Sequence, residues 1–98
     1  MKLTKDLNKG DIVYFISPFS EEYFIAEVTN VLYDEEVKSS ATKIELDFII
    51  GPNYKYVVLS NNVDLSKFYW DTHYYLYITT DSNAFCNYIR THNCHESV

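Results

Sequence analysis

The alternation of apolar and polar residues predicts a chain built mainly from short β-strands. The clearest segment runs from residue 43 to residue 50, where every second residue is apolar: Ile44, Leu46, Phe48 and Ile50. A side-chain period of two is that of a strand with one buried face. Residues 54–59 follow after the turn residues Gly51, Pro52 and Asn53. The two segments therefore predict an antiparallel hairpin.

Two further strands are predicted before this hairpin. Residues 11–16 are rich in β-branched and aromatic side chains, and the run ends at Pro18, which cannot continue an interior strand. Residues 23–32 place Phe24, Ala26 and Val28 on one face. The polar residues 34–40 that follow predict a loop.

The pattern changes in the last third of the chain. Residues 68–79 predict one or two strands with an apolar face made of Trp70, Tyr74, Leu76 and Ile78. Beyond Thr80, apolar residues recur with helical spacing and Asp81 is a suitable N-cap, so we expect a helix over residues 82–92. Residues 93–98 have no periodicity and are expected to form a flexible tail.

These elements fit one domain of 98 residues. We expect a short N-terminal turn over residues 1–10, a β-barrel over 11–80, the helix over 82–92 and the tail. Apolar residues make up 47% of the chain, and Gly and Pro number only two each, which excludes a disordered composition. The predicted fold is mainly β, a small antiparallel barrel of about five strands with one C-terminal helix, because barrel closure removes exposed strand edges.

The first third of the chain also carries a resemblance to a known architecture. Residues 7–15 (LNKGDIVYF) and 25–31 (IAEVTNV) resemble the first two strands of SH3-like small barrels in bacterial and phage proteins. The resemblance implies the barrel fold and a binding role, without naming a ligand. The aromatic groove by which signalling SH3 domains read proline-rich peptides is not visible, and no functional residue is carried over.

Charge narrows the choice of partner. The 14 Asp and Glu residues against 8 Lys and Arg give a net charge of -6, which disfavours phosphate backbones and anionic lipid. A neutral or basic protein surface is the expected partner. Glu35 and Glu36 in the polar loop are candidates for steering such a partner, although a solvated charged loop is the commoner explanation. No apolar run spans a bilayer and no secretory segment is visible, so we expect a cytoplasmic protein without membrane contact.

Candidate catalytic and metal chemistry is sparse. Asp71 lies two residues before His73, so that on one strand face the carboxylate could orient the imidazole, but no third catalytic group accompanies them. A surface pair of polar residues is the alternative, and we expect no enzyme. Zinc-binding atoms occur close together near the C-terminus, in Cys86, His92, Cys94 and His95. They lie on one helix and its tail, whereas structural zinc sites draw ligands from two elements, so we expect no metal and no cofactor. Because no secretory segment is visible, we expect both cysteines to be reduced.

The ten tyrosines are the most informative feature for function. Tyrosine offers a large contact area at a low cost in rotamer entropy. Burial of one face of residues 68–79 would place four residues on the other: Asp71, His73, Tyr75 and Tyr77. The C-terminal helix, a second copy of the chain or a foreign protein could cover that face.

We therefore expect a non-enzymatic, acidic binding module of a phage or mobile element that binds and inhibits a host protein. The alternative is a small barrel that binds nucleic acid through Lys2, Lys5 and Lys9 together with exposed aromatic rings.

Overall fold

The computed structural model describes residues 1–33 and 40–97. A 3₁₀ helix spans Thr4–Asp6, and an α-helix, α1, spans Ser82–Thr91. The described strands, in chain order, are β1 (Ile12–Ser17), β2 (Glu22–Leu32), β3 (Ala41–Ile50), β4 (Tyr56–Ser60), β5 (Tyr69–Asp71), β6 (Leu76–Thr79) and β7 (His95–Glu96).

These strands form one antiparallel sheet in the order β4-β3-β2-β1-β6-β5, which curls into a half-barrel. The short β7 pairs with β2 in parallel. The predicted mainly β class with one helix is confirmed, but the strands number seven rather than five. In the part of the chain that the structure describes, β4 and β5 stay unpaired with each other at the two ends of the sheet, so backbone pairing does not close the expected barrel.

The concave face of the sheet holds the hydrophobic core. Its fully buried members include Phe15 from β1, Ala26 and Val28 from β2, Ile44 from β3 and Ile78 from β6. Alternate residues of each strand point to this face, as a half-buried sheet requires. The loop after β4 contributes a further core residue, Leu65, which is fully buried.

An irregularity in the pairing of β2 with β3 changes which residues face the core. Between the pairs Ile25↔Ile50 and Ala26↔Phe48, β3 contributes one extra residue, Ile49, which is 63% exposed. This β-bulge reverses the alternation, because one inserted residue turns the following side chain to the opposite face. Ile50 therefore pairs with Ile25 on the convex face, and the prediction that it shares a face with Leu46 is wrong.

The N-terminal segment is tied to the loop between β4 and β5. The Lys2 backbone N–H donates to Asp64 Oδ1 at 2.9 Å, and the Leu65 N–H donates to the Lys2 carbonyl at 2.7 Å. Asp64 also accepts hydrogen bonds from the hydroxyl and the backbone N–H of Ser66. These bonds, that of the Ser66 hydroxyl first, lower the pKa of Asp64 from 3.8 to about 2.

Helix α1 covers part of the convex face. Asp81 caps it by accepting the N–H groups of Asn83 and Ala84, as the sequence analysis expected. The Phe85 ring stacks on Tyr14 of β1 at 4.6 Å and meets Tyr23 of β2 at 5.5 Å. The helix ends one residue before the predicted end.

The chain beyond the helix is held to the sheet, contrary to the expected flexible tail. His95 and Glu96 pair with Glu22 and Tyr23 at the start of β2, where β3 no longer provides a neighbour. The Tyr23 hydroxyl also bonds the Glu96 carboxylate, and burial together with this carboxylate raises the pKa of Tyr23.

Candidate functional site

The residues predicted to meet a partner lie in a hairpin rather than on one continuous strand. The turn at residues 72–75 separates β5 from β6, and the two strands pair Trp70 with Tyr77 and Asp71 with Leu76. Directly opposed residues in an antiparallel pair share a face. Trp70 and Tyr77 therefore lie together on the convex face, and Asp71 lies with Leu76 on the other. The predicted division of residues 68–79 into two faces is wrong for Trp70 and Asp71.

Asp71 is a structural residue of this hairpin. It is 5% exposed, and its Oδ2 atom accepts the backbone N–H groups of His73 at 3.1 Å and Tyr74 at 2.7 Å. The Tyr69 hydroxyl is its third partner, and burial followed by the Asp71 charge raises the pKa of Tyr69. The carboxylate thus fixes the turn from inside, and it is not part of the exposed surface on which it was predicted.

His73 does not form the predicted pair with Asp71. The Asp71 carboxylate accepts the backbone N–H of His73, while the exposed imidazole ring of His73 packs edge-on against the Tyr74 ring at 4.9 Å. A base oriented by a carboxylate would need the bond at a ring nitrogen. The geometry thus gives this His–Asp combination a role in shaping the turn.

Four aromatic rings on the convex side form what we call the aromatic surface: Phe19, Trp70, Tyr75 and Tyr77. Phe19 lies in the β1–β2 turn, and its ring is 6.2 Å from Trp70 and 6.4 Å from Tyr75. Trp70 in turn contacts Tyr77 at 4.8 Å. Phe19 is 80% exposed and Tyr75 is 59% exposed. The strand period predicts the two tyrosines but not Phe19, because a turn residue lies outside any strand period.

The backbone holds Tyr75 in a specific orientation. Its φ angle is 57°, in the left-handed region that few non-glycine residues adopt, and its N–H donates to the Asp71 carbonyl at 2.9 Å. A bulky residue in this conformation costs about 1–2 kcal/mol. The hairpin accepts that strain and presents the ring to solvent.

Helix α1 covers one side of the aromatic surface and thereby partly buries Tyr77. The Tyr77 ring lies 5.9 Å from Phe68 and 5.7 Å from Tyr88 of the helix. Burial and the neighbouring Tyr77 raise the pKa of Tyr88. The sequence allowed the C-terminal helix, a second copy of the chain or a foreign protein to cover this face. The helix covers it at Tyr77 and leaves Phe19 and Tyr75 exposed.

A second feature, which the sequence analysis missed, is a cleft of about 500 Å³ on the concave face of the half-barrel. We call it the aromatic cleft. Its lining is mainly aromatic and comprises Phe15, Ser17, Ser20, Glu22, Phe24, Phe48, Tyr54, Tyr56, Val57, Tyr74 and Leu76. At its rim the Tyr74 hydroxyl accepts the backbone N–H of Val58 at 3.0 Å, which links the β5–β6 turn to the edge strand β4.

One residue in the sequence could have indicated the cleft. Glu22 precedes Phe24, Ala26 and Val28 with the same spacing of two, so it belongs to the face that these residues bury. A carboxylate in such a position is unusual unless a partner is near.

The remaining candidates from the sequence lie elsewhere. Glu35 and Glu36 fall outside the described residues. Cys86 is exposed on helix α1. Cys94 is half-buried, and burial followed by the charge of Glu21 raises its pKa. Within residues 1–33 and 40–97, His, Cys, Asp and Glu form no group of three with metal-binding proximity.

Two of the N-terminal lysines are engaged within the chain. Lys2 Nζ lies 3.1 Å from Asp11 Oδ2, and Lys5 Nζ lies 5.8 Å from the centre of the Tyr33 ring. Burial raises the pKa of Asp11, but its bonds from Asn8 and Lys2 outweigh this and lower it overall. Two of the three lysines predicted to bind nucleic acid are thus engaged in contacts within the chain.

Comparison with protein-family models, with curated proteins and with solved structures found no match for this chain. No residue role is therefore transferred from a relative. Among the helices of the described chain, none combines the length and the apolar character that crossing a membrane requires.

Proposed function

We propose that this protein is a non-enzymatic module that binds another protein through the aromatic surface and thereby covers part of that protein. The observation that carries the proposal is the exposure of Phe19 and Tyr75, at 80% and 59%, within one connected group of rings. Exposed aromatic anchors of this kind dominate the energetics of protein interfaces. Their positions are fixed by two turns of the sheet, so little order has to be gained on binding.

Charge favours a protein over a nucleic acid as the partner. The net charge of -6 opposes approach to phosphates, and Lys2 already pairs with Asp11. Exposed Glu21 follows Phe19 in the same turn and adds negative charge beside the rings. A neutral or basic protein surface therefore complements this face better than a polyanion does.

Photo-cross-linking from defined positions tests the proposal. A benzophenone amino acid at position 75 should capture a protein partner in a lysate of the source organism, whereas the same group at position 49 should not. Ile49 is a matched control because it is 63% exposed and belongs to another part of the sheet. The partner should then bind at least about tenfold more weakly to a variant carrying Phe19→Ser and Tyr75→Asn. Asparagine at position 75 tolerates the left-handed backbone, so the change removes the ring without adding strain.

Three results would contradict the proposal. Equal capture from positions 49 and 75 would show no preferred surface, and capture of nucleic acid at position 75 would favour the alternative function. Unchanged affinity of the Phe19→Ser, Tyr75→Asn variant would show that the partner binds elsewhere.

A further inference from the structure

The aromatic cleft combines rings with a single acid. Among the described residues that line it, Glu22 is the one that carries a charge. Its backbone is fixed on both sides, by pairing with Ser17 of β1 and with His95 of β7. Within residues 1–33 and 40–97 its carboxylate has no ion-pair partner. The sheet therefore holds an unpaired negative charge against an apolar, concave wall.

The rings of the cleft form walls at steep angles to one another. Phe24 and Tyr54 stand at 73° and 78° to Phe48, with ring centres 6.4 and 6.3 Å from it. Gly51 packs directly behind this corner, because a Cβ atom there would lie 3.0 Å from Phe24 and 3.2 Å from Phe48. Rings that meet at such angles offer several faces or edges to one enclosed group.

The chemistry of this lining selects a ligand class. The faces of aromatic rings attract organic cations, and the attraction grows when the cation is withdrawn from water. A carboxylate in the same cavity provides the counter-charge. The chain makes one such contact elsewhere, on the face of β3 and β4 opposite the core, where Lys43 Nζ lies 4.3 Å above the Tyr56 ring. The aromatic walls that remain in the cleft are Phe24, Phe48, Tyr54 and Tyr74.

We propose that the aromatic cleft is a binding site for an alkylammonium group, with Glu22 as its counter-ion and the rings around Phe48 as its walls. This inference does not depend on the partner of the aromatic surface, which lies on the convex face. An alkylammonium group can belong to a lysine side chain of a peptide, methylated or not, or to a free small amine. The volume of about 500 Å³ exceeds that of the ammonium group alone and leaves room for what it is attached to.

Two probes of the same shape test the role of charge. Choline and its uncharged carbon analogue 3,3-dimethylbutanol differ only in the central atom of the bulky end. Titration of the protein with each, followed by NMR, should show choline binding at least about tenfold more tightly, with shifts confined to the cleft. Glu22→Gln should bring the two affinities close together. Glu27→Gln is the matched control, since Glu27 lies on the same strand and its side chain points to the opposite face, and it should leave the ratio unchanged.

A second variant tests the aromatic walls without disturbing the core. Tyr54 is 61% exposed, so Tyr54→Ala should leave the fold intact and weaken choline binding about fivefold. Equal affinity for choline and its neutral analogue, an unaltered ratio in Glu22→Gln, or no binding of either probe would overturn the proposal. Comparison of choline with N-acetyl-trimethyllysine methylamide then separates the two sources. Tighter binding of the lysine derivative assigns the site to a peptide, and tighter binding of choline assigns it to a free amine.

Discussion

Removal of the Asp71 carboxylate should destabilise the protein far more than removal of the exposed carboxylate at the start of α1. Asp71 and Asp81 each accept two backbone N–H groups, but Asp71 is 5% exposed whereas Asp81 is exposed. In Asp71→Ala, the two N–H groups and the Tyr69 hydroxyl lose a charged acceptor inside the protein. Hydrogen bonds to charged groups contribute about 1.5–3 kcal/mol each, and part of the loss is recovered by water entering the turn. We expect a net loss of about 3 kcal/mol.

The stability loss in Asp81→Ala is the reference with which the loss in Asp71→Ala is compared. Loss of an exposed N-cap costs about 1 kcal/mol, because water replaces the carboxylate. In a domain of this size, 1 kcal/mol corresponds to a shift in Tm of about 4–8 °C, so Asp71→Ala should lower Tm by at least about 12 °C. Thermal unfolding followed by circular dichroism measures both variants, and Asp71→Asn should fall between Asp71→Ala and the unmodified protein because it retains one oxygen acceptor.

Equal, small losses in the two alanine variants would refute the reasoning that burial sets the cost. Asp71→Ala also separates a structural role from a contact role. A variant that keeps its Tm but loses partner binding would restore Asp71 to the partner-binding surface predicted from the sequence.

Two further predictions concern acid stability and the corner behind the cleft. Because the pKa of Asp64 is lowered to about 2, its stabilising effect is present above the ordinary value of 3.8 and is lost as pH falls through about 2. The Tm difference between the unmodified protein and Asp64→Asn should therefore shrink between about pH 4 and pH 2 in thermal scans, and a difference that stays constant would contradict this. Gly51→Ala should lower the free energy of unfolding by about 2 kcal/mol in urea titrations, because φ is +133° and the new Cβ atom meets Phe24. Gly10→Ala is the matched control with φ +96° and open space around it, and it should cost about half as much.

The sequence was sufficient to predict the elements whose cause is local. The strands around Ile44 and Val13 and the helix after Asp81 follow from side-chain period and capping, which depend on neighbouring residues alone. The side-chain orientation of Ile50 depends instead on a bulge at Ile49, which only the pairing with β2 reveals. The pairing with a distant strand determines the face to which such a side chain points, and the residue period along one strand contains no information about that pairing.

The candidate sites were less predictable than the fold for the same reason. A period of two counted along residues 68–79 groups Tyr75 and Tyr77 with Asp71, which is buried, because the count ignores the turn at 72–75 that interrupts the strand. Phe19 joins them only through the pairing of β1 with β6. Glu22 could be identified from its spacing to Phe24, but the cleft that it lines is produced by the curl of the whole sheet.

The strand order also determines when the aromatic surface comes into existence during folding. β1 has β2 as its neighbour on one side and β6 on the other, and Phe15 pairs with Ile78, about sixty residues later in the chain. Such non-local pairing requires closure of a long loop before it gains contact energy, which places it late among folding events. Phe19 approaches Trp70 only after that step. A partially folded chain, even one with its β1–β2 and β3–β4 hairpins in place, therefore lacks the surface, and the binding that we propose for these rings would be restricted to molecules that have completed folding.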